Sequence, residues 1–340
     1  MASSSEILTV DENGIYCPKG DFYIDPWKPV KTALITHGHA DHLKSGHKEY
    51  YVPMKSKALM EHRLRDAPKY SITLYNFDET FEINGVSLSF HPAGHILGSA
   101  QVRVEVGNEV WVASGDYKRV TDPSCQPFEL VKGDGFISEA TFGLPIYRWN
   151  SSEKVIDEII DWWSRNANEG KPSVLFCYVL GKAQRILAGL AKKITELPKS
   201  VLYTHGSMDR MNQIYRDEGV NLLDTENATQ QEGNKFSEDL ILAPPSALRT
   251  QWMKRFKRCE TAFASGWMRV RGPRRMSGYD KGFVISDHAD WPSLITTIKE
   301  TQANEIRLLG SNSQFLARFL REQHNMDVST INYNYEEEEG

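Results

Sequence analysis

His37-Gly38-His39-Ala40-Asp41-His42 places four potential metal ligands in six residues, directly after the apolar run Thr32-Ala33-Leu34-Ile35-Thr36. Two more potential ligands follow: His95 in Ala93-Gly94-His95-Ile96-Leu97-Gly98, and Asp116 in Ser114-Gly115-Asp116. Neutral imidazoles and carboxylates are the donors that zinc, manganese or iron take in hydrolytic sites. On a loop leaving a strand, the alternate residues His37 and His39 converge on one ion, and Asp41 and His42 then face a second beside it. Two ions about 3.5–4 Å apart can share a hydroxide and clamp both oxygens of a phosphoester displacement. A lone histidine reads more naturally as a surface group making ordinary hydrogen bonds. His47, His62, His91 and His324, which stand outside any such cluster, are read that way.

The elements that must position these ligands are legible in the apolar pattern. The first 145 or so residues read as a β-rich layer. Phe81 to Phe90 alternates around Asn84-Gly85, a hairpin signal, and Gln101 to Ala113 alternates around Gly107-Asn108. One hairpin delivers His95 at its far end and the other delivers Asp116, and strand ends hold metal ligands rigidly. From about Asn150 the pattern becomes helices alternating with short apolar strands. Asn150 with Glu153 is a capping signal, Val155, Ile159 and Trp162/Trp163 follow at helical spacing, and Gly170 closes the helix. Trp162 and Trp163 are expected in the core rather than as base-stacking platforms. Ser173 to Tyr178, Val201 to Thr204 and Ala262 to Ala264 read as buried parallel strands, with a helix expected over Lys182 to Leu197. After Met276 come a strand (Gly282 to Ser286), a helix (Asp290 to Glu300), a strand (Glu305 to Leu309) and a helix (Ser313 to Arg321).

Composition narrows the function classes. A chain of 340 residues has room for one large or two medium domains. The formal net charge of −5 gives no global basic footprint, so a nucleic-acid surface has to be local. Cys17, Cys125, Cys177 and Cys259 are scattered, without a CxxC pair, as expected of reduced thiols in a cytoplasmic protein. Met1-Ala2-Ser3-Ser4-Ser5 lacks the basic and apolar regions of a signal peptide, and no apolar run approaches the roughly 20 residues of a membrane span. The acidic residues 336–340 are expected to be a solvated tail.

The His37–His42 motif resembles the HxHxDH hallmark of the metallo-β-lactamase fold. Further motifs resemble the nucleases of that fold that carry a β-CASP insert. Glu139-Ala140-Thr141-Phe142-Gly143 is similar to their acidic motif, and Ser286-Asp287-His288-Ala289-Asp290 to their later catalytic histidine motif. Within that group the chain most resembles the bacterial DNA-ligase-associated DNA exonucleases. That resemblance rests on Phe22-Tyr23-Ile24-Asp25-Pro26-Trp27, Leu180-Gly181-Lys182-Ala183-Gln184 and Gly266-Trp267-Met268-Arg269-Val270-Arg271-Gly272, and covers roughly residues 13 to 323.

The resemblance implies an α/β chain: a metallo-β-lactamase αββα sandwich with an inserted β-CASP-type α/β domain. Residues 1–148 would be the first part of the sandwich domain, 149–275 the insert, 276–335 the return and 336–340 the tail. It implies two divalent metal ions, zinc or manganese. His37, His39 and His95 would hold one, Asp41 and His42 the other, with Asp116 bridging. Glu139 would orient His288, which would stabilise the developing charge or protonate the leaving oxygen. Asp25 would orient a residue of the metal loop, or is a simple turn aspartate before Pro26. The resemblance has one departure: Gly310 stands where RNA-cutting relatives carry a further histidine ligand. This favours DNA over RNA and a weaker second metal site.

Arg269, Arg271, Arg274 and Arg275 place four guanidiniums within seven residues, a local basic loop able to hold phosphates bidentately, or a solvated charge run. Lys182 and Gln184 stand at a strand-to-helix turn, as substrate contacts or as an exposed helix start. His205 precedes a helix and is either a phosphate-binding group or a capping-region histidine. The expected function is therefore a metal-dependent DNA exonuclease that hydrolyses phosphodiesters at single-stranded or frayed ends, in DNA repair, with a functional link to a DNA ligase or helicase. Three alternatives remain open: an RNA-processing nuclease of the same fold, a small-molecule metallo-hydrolase such as a thioesterase or lactamase, and a binding scaffold with a decayed site.

Overall fold

The computed structural model describes residues 6–231, 236–270 and 278–331. The chain divides into two compact units, one formed by the chain up to Pro145 and again from His288, the other running Ile146–Asp287.

The first unit opens with β1 (Thr9–Asp11), β2 (Gly14–Cys17), β3 (Phe22–Ile24), β4 (Thr32–Leu34), β5 (Glu49–Pro53), α1 (Lys57–Arg63) and β6 (Ser71–Tyr75). These strands pair in chain order, antiparallel from β1 to β3 and parallel from β3 to β6. A second sheet begins with β7 (Phe81–Ile83), β8 (Val86–Pro92), β9 (Ala100–Val106), β10 (Glu109–Ala113) and β11 (Gly135–Glu139). Asn84 and Gly85 take φ of 49° and 75°, the positive pair that a two-residue hairpin turn needs to match strand twist. Ile15, Phe22, Ile24 and Leu34 of the first sheet share a buried core with Phe90, Val102, Val104 and Trp111 of the second.

In the second unit, α2 (Ser152–Asn168), β12 (Ser173–Phe176), α3 (Lys182–Ala191), β13 (Leu202–Thr204) and α4 (Gly206–Asp217) come first. β14 (Glu226–Asn227), β15 (Leu240–Ala243), β16 (Glu260–Ala264) and β17 (Lys281–Phe283) follow. All its strands are parallel, in the order β14-β13-β15-β12-β16-β17. Trp162 and Trp163 of α2 are fully buried, and Trp162 meets Phe283 edge-on. Each such burial contributes on the order of 1.5–3 kcal/mol.

The return to the first unit supplies α5 (Trp291–Thr301), β18 (Glu305–Leu309), α6 (Ser313–His324) and β19 (Asp327–Thr330). Here the second sheet is completed, running β19-β18-β11-β10-β9-β8-β7 and parallel from β10 to β19. Leu294 and Ile298 of α5 and Leu316 and Leu320 of α6 pack with Val112, Phe136 and Ile306 of that sheet. The chain is thus a mixed α/β protein with several sheets. No helix among the described residues is long and apolar enough to cross a membrane.

The structure departs from the sequence reading at several edges. The strand expected at Gly282 to Ser286 as the start of the return pairs instead with β16 of the second unit. The second boundary therefore lies at Asp287/His288 rather than at 275/276. The central, fully buried β15 had no expectation, although its four residues Leu240–Ala243 are all apolar. The cap of α2 is Ser151, whose side chain accepts from Lys154 N, not Asn150. The helix expected to Leu197 ends at Ala191, and a 3-10 turn at Ile194–Glu196 follows.

Candidate metal centre

Each expected ligand lies on a loop just beyond a strand. His37–His42 follows β4, where Ala100 N donates to Thr36 O at 2.8 Å, and His42 N and Leu43 N turn back onto His39 O. His95 sits between β8 and β9, where Ser99 Oγ accepts from His95 N and Ile96 N at 3.1 and 3.2 Å. Asp116 follows β10 after Gly115, whose φ of 53° and contact with Thr36 leave no room for a side chain. An ideal Cβ there would lie 2.7 Å from Thr36 Cβ. Glu139 ends β11, and Gly310 directly follows β18. The carboxyl ends of parallel strands, where open α/β sheets gather their functional loops, thus supply most of the cluster.

These residues converge. His39 Nδ1 lies 3.2 Å from His37 Nε2 and 3.0 Å from His95 Nε2. Asp116 Oδ2 lies 3.5, 3.7 and 3.4 Å from the Nε2 atoms of His37, His95 and His42, and Asp41 Oδ2 is 3.6 Å from His42 Nε2. Ligands about 2.0–2.1 Å from a tetrahedral ion stand about 3.3 Å apart, so the spacing fits a shared cation. The groupings within ligand reach include His37–His39–His95–Asp116 and Asp41–His42–Asp116, which share Asp116.

The electrostatics also suit cations. Burial holds His37 well below the usual histidine pKa, which keeps its imidazole neutral and its lone pair available. Burial opposes charge on His42 too, but Asp116, Asp41 and Asp25 outweigh it and raise that pKa well above normal.

Asp25 orients the loop. It accepts from Thr36 N at 2.8 Å and Thr36 Oγ1 at 2.6 Å, and its Oδ2 lies 2.7 Å from His42 Nδ1, which turns Nε2 toward Asp116. This network holds Asp25 in the left-handed region at φ 44°. Thr36 Oγ1 also stands 3.0 Å from His37 Nδ1. Thr36 had no expected role, because inside an apolar run its hydroxyl looks like a strand residue.

Glu139 bridges Tyr117 N (2.7 Å) and His288 Nδ1 (2.8 Å), and the His288 ring lies 4.6 Å from that of His95. Ala289 N donates to Tyr117 O and Asp290 caps α5 through Ser293 N, which fixes the backbone on the C-terminal side of His288. Burial raises the pKa of Glu139 while His288 opposes the shift.

The expected phosphate-binding residues are placed differently. Lys182 is buried and its ammonium donates to Asp287. Gln184 accepts from Gly181 N and donates to Val179 O and Asn212 Oδ1. His205 Nδ1 caps α4 by accepting from Ser207 N at 3.2 Å, and its ring meets Trp252 edge-on at 4.9 Å. The exposed strand-to-helix turn expected at Lys182 is a buried one, because α3 packs with its first residues inside. Arg269 is exposed, whereas Arg271, Arg274 and Arg275 lie outside the described residues.

No family model matches the chain. Over 317 residues it is 28% identical to a protein named "Probable DNA ligase" from Opitutus terrae, covering 92% of the chain and 30% of that protein. It is 25% identical over 207 residues to the endoribonuclease YSH1 of Eremothecium gossypii, covering 52% of the chain and 26% of the relative. With the "RNase J-like protein" of Methanocaldococcus jannaschii it shares 23% over 216 residues, 55% of the chain and 50% of the relative. The chain therefore spans between 26% and 50% of the length of these curated relatives. A solved structure of a protein of unknown function from Enterococcus faecalis V583 matches with a TM-score of 0.57 at 10% identity, over 89% of this chain and 80% of that one, a likeness of fold alone.

Proposed function

From its homology with the β-CASP nucleases of the metallo-β-lactamase fold, we propose that the chain is a metal-dependent DNA exonuclease acting on single-stranded or frayed ends. In this reading the first unit is the αββα sandwich of that fold and the second is the β-CASP insert. The observation that carries it is the convergence of six donors beside a Glu139–His288 pair. His37, His39, His95 and Asp116 would hold one divalent ion, zinc or manganese, and Asp41, His42 and Asp116 a second, and such ions would stabilise charge on phosphate and lower the pKa of water.

The chain's own residues do the rest. Asp25 and Thr36 orient His42 and His37. Glu139 holds the proton on His288 Nδ1 and stabilises the imidazolium, so His288 can pass the Nε2 proton to the departing oxygen as the water oxygen bonds to phosphorus and the phosphorus–oxygen bond to the leaving group breaks, the proton lost by the water passing to solvent. The exposed Arg269, with Arg271 and Arg275, is the proposed contact to substrate phosphates. DNA is favoured by the relative named as a probable DNA ligase, whose match covers 92% of the chain, and the same name supports a role in end processing beside a ligase. Gly310, which contributes no donor, is consistent with DNA as substrate. The RNA reading is kept by the ribonuclease names among the relatives.

The test is cleavage of matched DNA and RNA oligonucleotides, single-stranded and labelled at one end, in manganese or zinc. Stepwise loss from DNA ends is the expected result. Selective cutting of RNA would replace DNA with RNA as the substrate.

A further inference from the structure

On β8, the strand that leads to His95, a separate set of donors converges. His91 Nδ1 lies 2.9 Å from Asp78 Oδ1 and 3.1 Å from Glu129 Oε1, and the three residues can bring ligand atoms within 4.8 Å of one another. The sequence leaves His91 as an ordinary hydrogen-bonding group, because Glu129 stands 38 positions further on. The backbone builds the set. Alternate side chains of a strand share a face, so Ser89 and His91 stand together while Phe90 between them enters the core. The residues flanking His91 anchor the two acids: Phe90 O accepts from Asp78 N at 2.9 Å, and Pro92 O accepts from Glu129 N at 3.0 Å. The buried Gln101 amide also donates to Glu129 O, at 2.6 Å.

The far side of the ring is fixed too. The buried Ser89 Oγ lies 2.9 Å from His91 Nε2. By accepting the Nε2 proton, this hydroxyl selects the tautomer whose Nδ1 lone pair faces the acids, as a partner on the second nitrogen does for a metal-ligating histidine. Charge shows what the set lacks. Among the described residues no lysine or arginine pairs with Asp78 or Glu129. A proton on His91 balances one carboxylate, whereas a divalent cation balances both. Ligands of a tetrahedral zinc ion stand about 3.3 Å apart, close to the spacing from Nδ1 to either acid.

We propose that Asp78, His91 and Glu129 form a further divalent-cation site, of zinc type, outside the His37–His42 centre. Its ion ties the segments that carry Asp78 and Glu129 to β8. The Glu129 segment also rests on the loop that carries His95: Cys125 Sγ donates to Gly94 O at 3.3 Å, and Gly98 N donates to Gln126 Oε1 at 3.2 Å. The cation therefore stiffens the support of that loop and supplies no group to the reaction.

The experiment dialyses the full chain and its His91→Asn variant against zinc at about 10 µM free ion and counts bound zinc by elemental analysis. Only the difference between the two proteins is read, so the occupancy of the His37–His42 centre does not enter. The variant should hold one ion fewer, and a crystal soaked in the same zinc should give an anomalous peak beside His91 Nδ1. Glu129→Gln, a substitution at an exposed position, should weaken binding there by about tenfold or more, and it replaces His91→Asn if that variant does not fold by circular dichroism. Equal zinc counts in the wild type and the variant overturn the proposal and leave His91 as an ion-pairing group. So does the loss of one ion without a peak at His91, which would place the change in the other centre.

Discussion

Buried ionisable side chains occur in both units, but they are handled in opposite ways. In the second unit Lys182 and Asp287 are both nearly inaccessible and satisfy one another. Burial lowers the pKa of Lys182 while Asp287 holds it up, as in a paired structural charge. Gln184 there likewise spends its amide on neighbouring backbone and on Asn212. In the first unit the ring nitrogens of His37, His39 and His95 gather close to one another, and those of His37 and His95 close to Asp116, at 3.0–3.7 Å. Burial alone therefore does not mark a functional site. Several donors converging at ligand spacing are the further mark, because such a group can take up a cation.

That contrast breaks most visibly at Asp116, which belongs to both donor groups. Asp116→Ala should reduce nuclease activity to background and lower bound metal, as read by a cleavage assay with elemental analysis. Full turnover with both ions retained would remove the shared-carboxylate scheme. His288→Ala comes next: cleavage should slow by roughly 10²–10⁴-fold, the usual worth of a proton-transferring group, with metal content unchanged. Loss of metal in that variant would make His288 a ligand instead. In the second unit the effect should fall on stability. Lys182→Ala removes the buried ammonium that pairs with Asp287, at a cost of about 3–5 kcal/mol in denaturant unfolding. If the single substitution costs nothing, the pair is not the structural element described.

The same contrast explains what could be read from sequence. The converging donor cluster was legible because HxHxDH, His95 and Asp116 each follow a strand or hairpin with a clear apolar pattern, and a strand end leaves its side chains few places to point. The orienting role of Asp25 stood as one of two readings, settled only by its 2.7 Å approach to His42, seventeen positions along the chain. Thr36 was hidden because a threonine in an apolar run has the same sequence signature whether or not its hydroxyl is used. Lys182 misled for the complementary reason, while of the two readings open for His205 the capping one is what its contact shows. Cationic or imidazole side chains at helix starts look like phosphate ligands, and nothing local announces Asp287, 105 residues away, or the cap to Ser207. Strand β15 was missed although β12, just as short and as wholly buried, was read from its apolar run.

His205 gives the smallest and sharpest test of the comparison. Its pKa is lowered chiefly by burial, so at neutral pH the ring is uncharged and has no ionic attraction for phosphate, while Nδ1 is committed to Ser207 N. His205→Ala should therefore cost about 0.5–2 kcal/mol, the worth of a lost N-cap, and His205→Asn should recover most of it because asparagine caps equally well. Affinity for single-stranded DNA, measured by fluorescence anisotropy over a salt series, should be the same in all three proteins. A residue bound to phosphate behaves differently. Its removal would weaken binding, and asparagine would not restore an attraction that depended on a charged ring. Unequal stability with equal affinity would place His205 with Lys182, among the buried groups that pair off. Equal stability with unequal affinity would move it to the other class and return it to the substrate path.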